Sequence, residues 1–129
     1  MSITATVDRE AHLVRLEVAG TMTLSEMTKA IDGVIEEVGL AGGFDVLSDH
    51  RGLEMPVTSA QLVALVWHLR LHGHPMRGRR WAIVTRTAAS YGMMRMLSVL
   101  AERIPMQVSV FQDLVEAERW LAGPRLAQE

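Results

Sequence analysis

The chain has 129 residues, 49% hydrophobic and 22% charged, with a net charge of -2. That balance suits one globular domain and gives no ground for nucleic acid or an acidic membrane as a partner. Cysteine is absent, which excludes disulfides, thiolate metal sites and a cysteine nucleophile. The opening residues, Met1 to Val7, lack the basic and long apolar regions of a signal peptide. The longest purely apolar run, Leu62 to Trp67, falls far short of the ~20 residues a transmembrane segment needs, so a cytoplasmic protein is expected.

Ile3 to Val7 reads as a short strand, with Ile3, Ala5 and Val7 alternating with threonines. Leu13 to Val18 is a second strand, with Val14, Leu16 and Val18 on one side and Arg15 and Glu17 on the other. The polar turn from Asp8 to His12 is short, so the pair forms an antiparallel hairpin. Thr23-Leu24-Ser25-Glu26 fits a capping box, with Met22 and Met27 as a hydrophobic staple, and starts the first helix. Leu24, Met27, Ile31, Val34, Ile35 and Val38 mark its inner face, and Gly39 with Gly42-Gly43 ends it.

Phe44 opens the third strand. Phe44, Val46 and Leu47 do not alternate, as expected when helices cover both faces of a sheet. Gly52 to Val57, with Pro56, reads as a loop. Thr58-Ser59-Ala60-Gln61 is a second capping box, and Val57 with Leu62 a second staple. The second helix carries Leu62, Leu65, Val66 and Leu69 inward and ends at Gly73. Arg77, Arg79 and Arg80 belong to a solvated connection before the fourth strand, Trp81 to Thr85. A third helix runs from about Ala88 to Arg103, with Met93, Met96, Leu97, Leu100 and Ile104 inward, until Pro105 stops it. Val108 to Phe111 is the fifth strand. Asp113 caps a last helix with Leu114, Ala117 and Leu121 inward, ended by Gly123-Pro124.

This order predicts an α/β fold: a five-stranded, mostly parallel sheet with an antiparallel N-terminal hairpin strand at one edge and four main helices on its faces. A single domain is expected over residues 1–122, with a short C-terminal tail over 123–129.

The segments Val46-Leu47-Ser48-Asp49-His50-Arg51-Gly52, Trp81-Ala82-Ile83-Val84, Tyr91-Gly92-Met93-Met94-Arg95-Met96 and Val110 to Leu121 together resemble the SpoIIAA-like proteins of the STAS/Sec14-like group. The resemblance spans about residues 3 to 121 and implies a small α/β sandwich. Distant relatives include anti-sigma-factor antagonists, which bind protein partners, and lipid carriers of the Sec14 type. The antagonists carry a phosphorylatable serine directly after the third strand. Here that junction is longer, Gly52 to Val57, and Thr58-Ser59 occupy the helix start.

Open α/β sheets bind ligands beyond the C-terminal ends of their strands, near helix N-termini. The candidate ligand- or partner-binding residues are therefore Asp49, His50 and Arg51 after the third strand, Thr58 and Ser59 at the second helix start, and Tyr91 early in the third helix. Asp49 and Arg51 share a side, either as a polar pair lining a mouth or as an ion pair fixing the loop. Thr58 or Ser59 could accept a phosphate, although the capping box already explains Thr58. His68, His72 and His74 have metal-like spacing, but no carboxylate or cysteine is adjacent, so neither a metal nor a cofactor is expected. Ser48 with His50 invites a hydrolase reading, yet no glycine-flanked nucleophile turn accompanies them, and no catalytic set is assigned. Gly92 costs a helix up to ~1 kcal/mol against alanine, which close packing or ligand approach should offset. Met55, Met76 and Met94 are less easily placed and could line an adaptable apolar surface. The expected function is a non-enzymatic module acting through a protein partner, a homodimer being one arrangement. The alternative is a carrier or sensor of a small apolar or amphipathic, lipid-like ligand.

Overall fold

The computed structural model describes residues 2–39 and 42–124. Strand β1 (Ser2–Asp8) folds back on β2 (Leu13–Gly20), and the chain then alternates helix and strand: α1 (Leu24–Val34), β3 (Asp45–Leu53), α2 (Ser59–His72), β4 (Arg80–Val84), α3 (Ala88–Leu100), β5 (Gln107–Phe111) and α4 (Leu114–Ala122). The strands lie in the order β1-β2-β3-β4-β5, antiparallel between β1 and β2 and parallel thereafter. The expected architecture is therefore observed. The expected tail falls largely on residues 125–129, which lie outside the described residues.

A sheet whose strands follow chain order has a consequence for its helices. Each crossover steps one strand in the same direction, and right-handed crossovers then place every connecting helix on one face. Accordingly Met27 and Val34 of α1, Val38 just beyond it, Leu62, Leu65 and Leu69 of α2, and Met94 and Leu97 of α3 share one core with Leu16, Val46, Trp81 and Ile83 of the sheet. Among the described residues α4 alone covers the opposite face, where Ala117 and Leu121 pack on Leu13, Leu47, Ala82 and Val84. Strand β4 is thus buried along its whole length, while β2, which meets α4 at Leu13 and through the Arg15–Glu118 ion pair, alternates beyond Val14 and exposes Arg15 and Glu17.

Both capping boxes form. Thr23 and Thr58 accept from the amides of Glu26 and Gln61, whose side chains accept from the threonine amides in return. The staple residues Met22, Met27, Val57 and Leu62 are all buried. Beyond Val34 the first helix widens into a π-helical turn, Ile35–Gly39, in which Val38 is fully buried.

Four expectations are corrected. Leu24 sits at the first position of α1 and is exposed rather than inward-facing. The inner stripe of α3 is Ser90, Met94 and Leu97, which turns Met96 outward. Strand β3 continues to Leu53 rather than yielding to a loop at Gly52. Finally, Arg80 is buried, not solvated. It opens β4 on the α4 face, and its guanidinium donates to the carbonyls of Trp120, Gly123 and Pro124. A helix C-terminus leaves carbonyls unsatisfied and favours a cation, so Arg80 caps α4 from another element. Arg79 is half-buried and donates to Asp45, which leaves Arg77 as the exposed member of the trio.

Candidate functional site

The C-terminal end of β3 is shaped by a bulge. Glu17 of β2 pairs with Asp49 and Ala19 with Gly52, so His50 and Arg51 together oppose Val18. The extra residue resets the alternation. Asp49 lies on the α4 face and His50 on the face covered by α1 to α3, and Leu53 returns to that second core, where an unbroken strand would have turned it away. Gly52 makes the bulge possible, since a Cβ there would lie 3.0 Å from the Ala19 Cβ and 3.1 Å from the Val18 carbonyl oxygen.

Asp49 and Arg51 form a bidentate pair, Arg51 Nε to Oδ1 at 2.9 Å and Nη2 to Oδ2 at 2.7 Å. The Arg51 amide also donates to Oδ1, at 3.0 Å, and Arg86 Nε donates to the Arg51 carbonyl at 3.1 Å. These bonds hold the bulge and tie it to the β4–α3 junction. The Arg51 guanidinium keeps the Asp49 carboxyl below its usual range, against a smaller opposing effect of burial.

His50 belongs to the opposite face. The residue keeps some exposed surface, but its Nδ1 is sealed from solvent and has no hydrogen-bond partner among the described residues. Burial pushes its pKa down to about 4, outweighing the charge of Asp49. Two residues back, Ser48 is almost fully buried and accepts a 2.6 Å bond from Trp81 Nε1. His50, Ser48 and Trp81 border an apolar cavity of about 50 Å³ beneath α1, and a second cavity of about 40 Å³ shares Leu16, Ile31 and Trp81 as walls. Small-molecule sites occupy roughly 300–1,000 Å³, so neither cavity holds a lipid chain as it stands.

The structure therefore divides the candidate residues. Asp49 and Arg51 lie together and His50 lies behind them. Thr58 is committed to its cap, with Gln61 also donating to the Met22 carbonyl at 3.0 Å, and Ser59 is exposed at the first position of α2. Tyr91 is half-buried on α3 beneath Arg95, whose guanidinium lies 5.8 Å from the ring centroid. His68 pairs with Asp32 of α1 at 2.6 Å and packs on His72, while His74 bonds Arg77. Among the described residues no three His, Asp or Glu side chains gather as a metal site, and no helix is long and apolar enough to cross a membrane.

A further surface was missed. Helix α2 carries two apolar stripes: beside its buried one lie Val63, Trp67 and Leu71, which are 50%, 55% and 71% exposed. Neighbouring α3 exposes Met96 and Val99, which with Gly92, Arg95 and Leu100 line a shallow hollow of about 320 Å³. Large apolar side chains left exposed together on a helix face mark an interaction site. The signal was in the sequence. Val63, Trp67 and Leu71 recur every four residues, a second stripe beside the one assigned to the core.

A family model described as SpoIIAA-like matches residues 13–122. The chain belongs to the SpoIIAA-like family. Solved structures share its fold, two of them as follows. One is an uncharacterized DUF3478-family protein with a SpoIIAA-like fold from Shewanella loihica PV-4, at a TM-score of 0.64 and 15% identity over 94% of this chain and 93% of that one. The other is an anti-sigma factor antagonist from Mycobacterium paratuberculosis, at a TM-score of 0.59 and 18% identity over 95% and 96%. No curated protein matches. This SpoIIAA-like chain departs from a plain α/β sandwich chiefly in the apolar outer face of α2.

Proposed function

We propose that this SpoIIAA-like protein is a non-enzymatic regulatory module that works by docking a protein partner on the outer face of α2 and α3. The observation that carries this reading is the exposed Val63–Trp67–Leu71 stripe. The fold shared with an anti-sigma factor antagonist supports a regulatory role through protein contacts. Tryptophan, methionine and arginine are the residue types that interfaces favour, and Trp67, Met96, Arg70 and Arg95 all occur on this face. The Asp49–Arg51 pair holds the β3 bulge in shape, and His50 seals the core behind it. The carrier reading is the weaker one, because a lipid would need α1 to lift away from two cavities of about 50 and 40 Å³.

Replacing Trp67 and Leu71 with serine tests the reading. Both side chains are more exposed than buried, so the thermal midpoint should change by no more than about 4 °C. The double variant should lose specific proteins that co-purify with the wild type. Equal retention by both proteins contradicts the proposal.

A further inference from the structure

Resting on that reading, we infer that the occupant of this face is an amphipathic helix of a partner protein, with an apolar ridge flanked by carboxylates.

Charge is the first ground. The chain is net negative, yet within α2 and α3 the charged side chains are arginines, Arg70 and Arg95. Each guanidinium lies over an aromatic ring of its own helix: Arg70 at 5.1 Å from the Trp67 centroid and Arg95 at 5.8 Å from that of Tyr91. Stacking of this kind holds the cations in place beside the apolar stripe and reduces the ordering needed on binding. Carboxylates flanking an apolar ridge complement this arrangement.

Shape is the second ground, and it rests on Gly92. A glycine inside a helix is unfavourable against alanine. Close packing among the described residues does not account for it, because a Cβ at Gly92 would meet no atom of another element within 4 Å. The space it leaves open is the floor of the hollow between Arg95, Met96 and Val99. A hollow of about 320 Å³ accepts a large apolar side chain from a helix lying along α3. Helix-in-groove recognition works in this way, with apolar anchors at helical spacing entering complementary depressions.

The probes are two synthetic helical peptides with leucines at helical spacing, one flanked by glutamates and one by lysines, together with vesicles of anionic lipid. Chemical shifts of backbone amides should move saturably with the glutamate peptide, on α2 and α3 and around Gly92, and the lysine peptide should bind at least ten-fold more weakly. Gly92→Leu fills the hollow and should abolish binding, whereas Gly92→Ala should raise the thermal midpoint and leave most of the binding. Equal binding of both peptides, binding of the vesicles in place of the peptides, or dimerisation through this face overturns the inference. So does a partner that depends on Trp67 and Leu71 while neither peptide binds. That last result leaves the wider docking proposal standing.

Discussion

His50 is held neutral by burial, and this has a measurable consequence. With a folded pKa of about 4 against an ordinary 6.5, the unfolded chain binds a proton between those values and the folded chain does not. Stability therefore rises with pH through this window, is complete above about pH 7, and is lost as the pH falls toward 4. The full effect amounts to about 3 kcal/mol. Denaturation at a series of pH values should show wild type losing up to that much between pH 7 and 4 relative to His50→Leu; parallel curves contradict the assignment. Arg80 offers a second test. Arg80→Leu strips the carbonyls of Trp120, Gly123 and Pro124 of a shared donor and should destabilise the fold by about 2–4 kcal/mol, read by urea unfolding. A loss below about 0.5 kcal/mol would show that water replaces the guanidinium. Residue pairing was legible in the sequence only where it was local. Asp49 and Arg51, two apart on a strand, face the same way by alternation. The bulge left only Gly52 as a sign, and the partner of Arg80 lies 40 residues downstream.

At the scale of elements, the helix starts were readable because caps are local chemistry. Thr23 with Glu26 and Thr58 with Gln61 each satisfy their own backbone. Thr58→Ala should accordingly cost about 1 kcal/mol, seen as a lowered denaturation midpoint. An unchanged midpoint would mean that the staple of Val57 on Leu62 suffices. Helix phase was less readable. Met93, Met94 and Met96 are all apolar, so periodicity could not choose among them, and the contact of Met94 and Leu97 with the sheet decided it. In α2 the difficulty is of the same kind. Two apolar stripes lie side by side, and sequence alone assigns the core to one without showing that the other stays outside.

For the whole molecule, strand order does most to determine the surface. Strands laid down in chain order put three helices on one face, and α2 lies between α1 and α3, packing on both. Its outer side is the exposed crown of that layer. The β3 rim is a braced corner, with Arg51 bonded to Asp49 and Arg86 donating to the Arg51 carbonyl. The open apolar crown is where an added partner gains most from burial, at roughly 25 cal/mol per Å² removed from water. Under the proposed function a different protein covers this crown. The most direct measurement places a photo-crosslinking amino acid at position 71 and, as a control, at position 115 of α4, where Val115 is 57% exposed. After irradiation in the host cell, position 71 should give a discrete heterologous crosslink that position 115 does not give. Crosslinks from position 71 to lipid, to a second copy of the chain, or no more often than from position 115 would contradict the account.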